Sequence, residues 1–228
     1  RGTVHIVHGL AEHSLRYAFL AEKLNEIGFN VFACDHRGHG LTVRKNNDIK
    51  GLFSYQDGWF KATEDLVHIH KRINEAFPSL PLIMLGHSMG SFLTQNFIMK
   101  HGNNVNAVIL TGTNWEPSWY LGVLSSIVRF EKWRLGCQNT SVLIEFLFTQ
   151  LLNAPFRSDH KSYGWVCSDK EEVKKYEMDE FCGFPCSTKL WDDFIEGMKF
   201  VFKADHQRFI PKELPIYILG GKEDPVGQ

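Results

Sequence analysis

The stretch PLIMLGHSMGSFLTQNF, residues 81–97, places a serine between two glycines where an apolar run meets a helical pattern. Leu82–Leu85 is typical of a buried strand, and the pattern after it is that of a helix. Ser88 therefore stands on a tight strand-to-helix turn, which needs the small residues Gly86 and Gly90 on either side. Such a turn exposes the serine hydroxyl above the strand ends and predicts a nucleophile; the alternative is a glycine-rich turn with a solvated serine.

Four further apolar runs indicate a parallel sheet covered on both faces, because none of them alternates cleanly between apolar and polar residues. These runs are Val4–Val7, Val31–Cys34, Val108–Leu110 and Ile216–Leu219. Helical spacing of apolar residues occurs between them, at residues 17–27, 59–73 and 92–99. Strands that alternate with helices predict right-handed crossovers and a mostly parallel, doubly wound α/β fold.

The alternation stops after Thr113, and the segment that follows contains five of the six tryptophans. Its apolar stretches, such as Ser141–Leu152, favour helices over strands. We therefore expect an α/β core in two pieces, residues 1–113 and 210–228, with a helical cap and one following helix inserted over residues 114–209.

The composition excludes several classes of protein. The 228 residues are 43% apolar, enough for one sizeable α/β domain, and the net charge of −1 gives no basis for electrostatic binding to nucleic acid. No apolar run approaches the roughly 18 residues of a membrane span. The five cysteines are an odd number without a CxxC pair, which favours reduced thiols in the cytoplasm over disulfides or a zinc site. No metal or organic cofactor is expected.

A serine nucleophile needs a histidine base, an acid that orients the base, and N–H donors for the oxyanion. The N–H of Met89, directly after the serine, is one expected donor. The stretch VHIVHGLAEHS, residues 4–14, supplies the other, because Gly9 lets the backbone turn and presents the N–H of Leu10. We expect His8 in this loop to shape the oxyanion hole; the alternative is a histidine packed for structure.

The acid is expected after a later strand. The stretch IYILGGKEDPVG, residues 216–227, offers Asp224 and Glu223. Asp224 is preferred because an Asp-Pro step favours a turn that projects the carboxylate, and Glu223 is the fallback.

Four motifs occur in a fixed order across nearly the whole chain: VHGLAEHSLRY at 7–17, DHRGHGLT at 35–42, GHSMG at 86–90 and GGKEDP at 220–225. Together they resemble the α/β-hydrolase superfamily, and more narrowly its monoacylglycerol lipase, lysophospholipase and serine aminopeptidase-like branch. The resemblance implies an eight-stranded, mostly parallel sheet with a helical cap inserted between strands.

The resemblance also implies roles for individual residues. Ser88 is the implied nucleophile, Asp224 the triad acid, and the N–H groups of Leu10 and Met89 the oxyanion donors. The residues implied to support them are His8, Gly9, Gly86, His87 and Gly90. In the second motif, the residues expected to brace the loops under the site are Asp35, Arg37 and His39.

The catalytic histidine is the one departure from this pattern. The order in this fold is serine, acid, histidine, yet none of the eleven histidines follows Asp224. Either the 228 residues are an incomplete copy, lacking segments at both ends, or the protein has lost its base. We favour the first, because the sheet edge and core would otherwise be left uncovered. His206 is a poor substitute, because it precedes the acid strand.

The cap is the only guide to the substrate. Its aromatic and aliphatic residues suggest an apolar tunnel above Ser88 that suits an acyl chain. We therefore expect an ester of a fatty acid, of monoacylglycerol or lysophospholipid type, cleaved through an acyl-enzyme on Ser88. The cap is also expected to contact membranes or micelles transiently. Together with the reduced cysteines, this predicts a cytoplasmic protein that is peripheral at membranes.

Two alternatives stay open. One is a catalytically inactive α/β-hydrolase-fold protein that binds a small apolar ligand or a partner. The other is an aminopeptidase of the same fold, which would need carboxylates near the site to bind a free amine. The acidic residues that could supply them are Glu177, Asp179 and Glu180.

Overall fold

The computed structural model describes residues 1–46, 48–156 and 163–226, without the side chains of 46 and 149–151. The described residues form five strands: β1 (Gly2–Val7), β2 (Phe29–Ala33), β3 (Leu82–His87), β4 (Ala107–Thr111) and β5 (Ile216–Leu219). They lie in the order β2-β1-β3-β4-β5, and every neighbouring pair is parallel. The predicted parallel α/β sheet is therefore confirmed.

Two details of the sheet differ from expectation. The resemblance implied eight strands, whereas the described residues form five. Ile216–Leu219 was expected to be buried, but all four residues are exposed because β5 is an edge strand that pairs only with β4. By contrast, all six residues of the interior strand β1 are buried.

Helices connect the strands and fill the segment between β4 and β5. The helices before β4 are α1 (Ala18–Glu26), α2 (Gly40–Asn46), α3 (Gly58–Ala76) and α4 (Met89–His101). Those after β4 are α5 (Ser118–Leu135), α6 (Val142–Glu145), α7 (Leu151–Asn153), α8 (Lys170–Met178), α9 (Thr188–Val201) and α10 (Ala204–Gln207). Short 3-10 turns lie at Ser14–Tyr17, Gly102–Asn104 and Ala154–Phe156. The division into residues 1–113, 114–209 and 210–228 stays a prediction.

The stretch Ser141–Leu152 is helical, as predicted, but it does not form one continuous α-helix. The chain forms α6, then a π-helical turn at Phe146–Gln150, then α7. Side-chain packing accompanies the break, since the ring of Phe148 stacks on Trp191 of α9 with centroids 4.4 Å apart. Within the described residues, no helix combines the length and the apolar character of a membrane crossing.

Helices α3, α4 and α9 pack on one another and bury the largest side chains beside the sheet. Trp59 of α3 is fully buried, and its Nε1 donates a hydrogen bond to Asn96 Oδ1 of α4 at 2.8 Å. Its indole stacks on Phe194 of α9. A Cβ at Gly197 would lie 2.1 Å from the indole, so the close approach of α9 to α3 depends on glycine there.

The strand order indicates a binding site at the carboxyl ends of β1 and β3. The chain runs from β1 outward to β2, then crosses to the other side of β1 to form β3. The loops after β1 and β3 therefore leave the sheet in opposite directions, and ligands of open α/β sheets bind at such a switch point. Val7, which ends β1, pairs with Gly86 near the end of β3.

Candidate functional site

Ser88 is the single residue between β3 and α4, and its backbone is strained. Its φ of 50° and ψ of −122° lie outside the regions that residues with a Cβ normally adopt. Its N–H donates to the carbonyl of Thr111 on β4 at 2.8 Å, and its carbonyl accepts the Ser91 N–H at 2.8 Å. These two bonds hold the turn, and such outliers persist only where the surrounding structure fixes them.

The glycines around Ser88 are required by sterics. A Cβ on Gly90 would lie 2.1 Å from the carbonyl oxygen of Val7, and a Cβ on Gly86 would lie 2.7 Å from the carbonyl oxygen of Gly90. Both distances are well inside van der Waals contact, and the obstacles are backbone atoms that cannot turn away. The start of α4 therefore packs directly on the end of β1.

The loop after β1 reaches Ser88 from the other side of the switch point. A Cβ on Gly9 would lie 3.2 Å from the Cβ of Ser88, so the backbone here passes next to the serine. Leu10 lines the same cavities as Ser88. Met89 is buried at the first position of α4, where backbone N–H groups have no partner inside the helix. The backbone positions proposed as oxyanion donors thus flank the serine.

His8 is fully buried, and its two ring nitrogens have different partners. Nε2 accepts the backbone N–H of His36 at 3.0 Å, so the ring proton lies on Nδ1, which donates to the Gly9 carbonyl at 2.8 Å. Because the carbonyl and N–H of a trans peptide point in opposite directions, this bond turns the Leu10 N–H away from His8. Burial, and secondly His39, lowers the pKa of His8 well below its ordinary value, which keeps the ring neutral.

His39 continues this neutral cluster. Its Nε2 accepts the Ala11 N–H at 3.2 Å, and its Nδ1 donates to the carbonyl of Arg37 at 3.0 Å. Burial lowers the pKa of His39 to about 4 and that of His36 well below its usual range. Both rings act as hydrogen-bonding supports beneath the loop rather than as charged groups.

The remaining residues of DHRGHGLT also hold loops together. The Asp35 carboxylate accepts the Ser14 N–H, the Ser14 hydroxyl and the Leu41 N–H at 2.6 to 2.8 Å. Burial by itself would raise the pKa of Asp35, but these bonds outweigh it and lower the pKa. Arg37 makes two bonds of 2.8 Å to Asp65 of α3. These contacts are of the bracing kind expected from the sequence.

Glu12 is a buried acid that the sequence analysis did not single out. It is 2% exposed, and it accepts hydrogen bonds from the Gly9 N–H, the Arg16 guanidinium and the Tyr17 hydroxyl. Burial by itself would raise the pKa of Glu12, but His87, Arg16 and these hydrogen bonds outweigh it and lower the pKa. The carboxylate therefore stays charged and anchors the start of the Gly9 loop.

His87 and Asp224 line one cavity together with Ser88. His87 Nδ1 bonds to the Thr111 hydroxyl at 2.7 Å, which ties the end of β3 to β4. Asp224 lies in the turn after β5, where its Oδ1 accepts the Val226 N–H at 2.9 Å. Asp224 and its neighbour Glu223 both line a cavity that also contains Ser88. The choice between Asp224 and Glu223 as the triad acid stays a prediction.

Two cavities meet at Ser88. The larger, about 730 Å³, is termed the charged cavity because its lining includes the charged residues Glu12, Arg16, Lys170, Lys222, Glu223 and Asp224. The smaller, about 300 Å³, is apolar, and its lining includes Phe92, Leu121, Leu124, Phe148, Trp191 and Phe194. The residues that line both cavities are Leu10, Ser88, Trp165, Tyr176 and Val226.

A family model described as "Serine aminopeptidase, S33" matches residues 1–228, the whole of the chain. The chain belongs to this α/β-hydrolase family. Its relatives include a monoacylglycerol lipase of Mycolicibacterium smegmatis, 32% identical over 49% of this chain and 38% of the relative. A monoglyceride lipase of Mus musculus is 29% identical over 98% of this chain and 65% of the relative. The matched part therefore spans less than two thirds of the length of either relative.

Solved structures of this S33 α/β-hydrolase fold agree with the assignment. A thermostable carboxyl esterase from Bacillus coagulans, in complex with glycerol, superposes with a TM-score of 0.90 at 30% identity, over 100% of this chain and 73% of that one. A soluble variant of the Saccharomyces cerevisiae monoglyceride lipase, with a substrate analogue, gives 0.75 at 21% identity, over 100% of this chain and 70% of that one. The second likeness shows the fold. The resemblance to the monoacylglycerol lipase-like branch is thereby confirmed.

The catalytic base of an S33 hydrolase is not visible among the described residues. Within 1–46, 48–156 and 163–226, no histidine ring forms a hydrogen bond with Ser88 Oγ or with the carboxylate of Asp224. His206 instead bonds through Nδ1 to the carbonyl of Phe200 at 2.8 Å. His160 lies outside the described residues.

One group of residues has the composition of a metal site. His13, Asp179 and Cys182 place three donor atoms within 4.8 Å of one another, and all three are ligand types that Zn²⁺ uses. His13 Nε2 and Asp179 Oδ2 already bond to each other at 2.8 Å. Burial, and secondly Asp179, raises the pKa of the Cys182 thiol to about 12. A cation here would displace both that bond and the thiol proton, and the absence of a metal stays a prediction.

The acidic residues predicted for an aminopeptidase do not gather at Ser88. Asp179 bonds to His13, Glu180 pairs with Arg44, and Glu177 is exposed on α8. None of the three lines either cavity. Two carboxyls that the sequence analysis missed, Glu116 and Glu145, do line the apolar cavity, and burial raises the pKa of each.

Proposed function

We propose that the protein is a serine hydrolase that cleaves esters of fatty acids, of monoacylglycerol or lysophospholipid type, through an acyl-enzyme on Ser88. The observation that carries the proposal is the position of Ser88 where two cavities meet, one lined mainly by aromatic and aliphatic residues and the other carrying charged side chains. An ester of a fatty acid has the same two-sided character, with the reacting carbonyl at the boundary. Neither cavity alone would distinguish such an ester from other ligands.

The apolar cavity is the proposed acyl site. Phe92 and Leu121 line its walls, and Trp191 stacks on Phe148 there, so the cavity offers stacked and aliphatic surface to a hydrocarbon chain. Removing such a chain from water is favourable by roughly 0.8 kcal/mol for each buried methylene. This free energy of burial would keep the acyl chain in the cavity, with its carbonyl carbon next to Ser88.

The charged cavity is the proposed head-group site. It carries three cationic residues and three anionic residues along its wall, so it has no large excess of either charge. Arg16 is already paired with Glu12 and is therefore a weak site for a phosphate. This balance favours an uncharged head group such as glycerol, which is also bound in the related esterase from Bacillus coagulans.

The proposed chemistry assigns each residue one step. A histidine base takes the proton of Ser88, and the serine oxygen attacks the ester carbonyl. The N–H groups of Leu10 and Met89 stabilise the negative charge on the carbonyl oxygen, and Asp224 orients the base. Loss of the alcohol leaves an acyl-serine, which water then cleaves. Because no described histidine ring forms a hydrogen bond with Ser88 Oγ, the tests include the complete gene product as well as residues 1–228.

A fluorophosphonate probe tests the nucleophile directly, because it bonds only to activated serines. We expect one adduct by intact mass on the full-length protein, none on its Ser88→Ala variant, and a slow reaction of residues 1–228. Ser91→Ala is the matched control, since Ser91 lies in the same turn but donates its hydroxyl proton to the Ser88 carbonyl at 2.7 Å. Absence of an adduct on the full-length protein would reject the proposal and favour a binding protein of this fold.

A substrate panel separates the ester from the amide alternative. The aminopeptidase alternative retains one supporting observation, the presence of Glu116 and Glu145 in the apolar cavity, where they could meet an amine. We expect monoacylglycerols of medium and long chains to be cleaved and amino-acid amides to be left intact. Cleavage of the amides, lost in Glu116→Gln, would favour the aminopeptidase.

We also propose a cytoplasmic location with transient contact to membranes or micelles through the cap. The five cysteines all lie within the described residues and none is in a disulfide, which suits a reducing compartment. The contact surface is the outer face of α5, which exposes two tryptophans, Trp119 and Trp133.

A further inference from the structure

Ala11 has an unusual backbone conformation in the loop that carries Leu10. Its φ of 51° lies in the left-handed region, which is disfavoured for residues with a Cβ. Such a conformation persists only if other contacts fix the peptides on both sides. The contacts of the Ala11 amide and carbonyl therefore fix the backbone directly after Leu10, while the bond from His8 to the Gly9 carbonyl orients the Leu10 N–H itself.

Both donors to the Ala11 carbonyl come from the segment at residues 176–183, far along the chain. The Gly183 N–H donates to this carbonyl at 2.9 Å, and the Tyr176 hydroxyl donates to it at 3.2 Å. On the other side of the residue, the Ala11 N–H donates to His39 Nε2 at 3.2 Å. Ala11 is thus held through its N–H by His39 and through its carbonyl by the segment 176–183.

Tyr176 is itself firmly positioned. It is 7% exposed, and the Arg16 guanidinium lies over its ring, 4.8 Å from the centroid. The ring also packs on Tyr163, with centroids 5.1 Å apart, and the Tyr163 hydroxyl donates to the Gly183 carbonyl at 2.6 Å. The two tyrosines and Gly183 therefore form one packed unit, and moving any of them would disturb the bonds to Ala11.

We propose that Tyr176 is a positioning residue, whose hydroxyl holds the Ala11 carbonyl and so supports the loop that presents the Leu10 N–H to the oxyanion. The proposal rests on the proposed function, in which Leu10 stabilises the oxyanion. Segment 176–183 is then coupled to catalysis: a shift of this segment would release Ala11 from its strained conformation and loosen the loop around Leu10.

Tyr176→Phe in the full-length protein tests the role, because it removes the hydroxyl and keeps the ring. Loss of a direct oxyanion donor lowers kcat by roughly a hundredfold to a thousandfold, and an indirect effect through Ala11 should lower it by roughly tenfold. We expect KM for a short acyl ester to be unchanged. We also expect a trifluoromethyl ketone, whose adduct mimics the oxyanion, to bind more weakly by the same factor as kcat falls.

Tyr55→Phe is the matched control. The Tyr55 hydroxyl accepts a hydrogen bond from Gln138, which lies after α5, so it also joins the core to the segment between β4 and β5. It does not line either cavity at Ser88. We expect kcat and inhibitor binding to be unchanged in this variant. An equal loss in both variants would overturn the specific role of Tyr176.

Hydrogen–deuterium exchange of residues 8–13 provides a readout that does not need activity. Tyr176→Phe should accelerate exchange of the Gly9 and Ala11 amides, whereas Tyr55→Phe should not. Unchanged exchange, or faster exchange with unchanged kcat, would overturn the proposal. Wild-type protein without turnover and without a Ser88 adduct would instead reject the proposed function, and exchange alone would then decide whether the hydroxyl holds the loop.

Discussion

Gly90 and Gly122 are both helical glycines, but their surroundings differ completely. A Cβ on Gly90 of α4 would lie 2.1 Å from a carbonyl oxygen of β1, whereas a Cβ on Gly122 of α5 would have no atom within 4 Å. Gly90→Ala should therefore lower the free energy of unfolding by about 3 kcal/mol, because the helix and strand must separate. Gly122→Ala should raise it by about 1 kcal/mol, because alanine is the better helix former.

Urea unfolding of both variants measures this difference. The same proteins can be treated with the fluorophosphonate probe, because displacement of α4 would also move Ser88. Gly90→Ala should therefore lose labelling, and Gly122→Ala should keep it. Equal stabilities for the two variants would show that the start of α4 does not pack on β1 as closely as described.

Single residues could be placed from the sequence where their position follows from local backbone geometry. Ser88 and its two glycines belong to this group, since a strand, a turn and a helix within 17 residues are enough to specify them. Glu12 could not be found, because an acid within a polar loop usually lies on the surface and only the fold shows that it is buried. Tyr176 was also missed, because its partner Ala11 is 165 residues away.

The outer face of helix α5 exposes an apolar stripe. Trp119, Val123, Phe130 and Trp133 follow one another at intervals of three, four or seven residues, and they are 71%, 52%, 55% and 80% exposed. Residues at this spacing share one helix face. An exposed stripe next to a proposed lipid site favours contact with a membrane surface.

Replacing both tryptophans of the stripe tests this contact. Trp119→Ser with Trp133→Ser should weaken binding to zwitterionic phosphatidylcholine vesicles by roughly tenfold or more, because two large apolar side chains no longer leave water. Co-sedimentation measures the bound fraction. Phe19→Ser is the control, since Phe19 on α1 is also 71% exposed but lies outside the stripe. An equal loss in the control would indicate nonspecific adhesion.

Strands were easier to predict than the helices between β4 and β5, for a physical reason. A buried parallel strand needs a short apolar run bounded by turns, and all five runs read from the sequence became strands. The change from α-helix to π-helix within Ser141–Leu152 could not be predicted from the sequence, because this stretch contains no glycine or proline. It depends on how Phe148 and Trp191 pack, which is information that spacing within the segment does not contain.

The whole molecule buries uncharged histidines beneath its proposed active site. His5, His8, His36 and His39 are each 5% exposed or less. Burial, with a smaller contribution from His70, lowers the pKa of His5 to about 3, and burial lowers that of His39 to about 4. In the unfolded chain these rings bind protons near pH 6.5. Protonation therefore favours unfolding, and the free energy of unfolding should fall as the pH drops from 6.5 toward 4.

His39→Gln isolates one ring of this cluster. For each pH unit below about 6.5, the wild type should lose about 1.4 kcal/mol through His39 alone, so the variant's deficit should shrink by that amount. Urea unfolding between about pH 7.5 and 5 measures the deficit. His68→Gln, at an exposed position of α3, should run parallel to the wild type throughout. A deficit of His39→Gln that stays constant with pH would mean that folded His39 binds its proton at the same pH as in the unfolded chain, so that below about pH 6.5 it could not accept the Ala11 N–H.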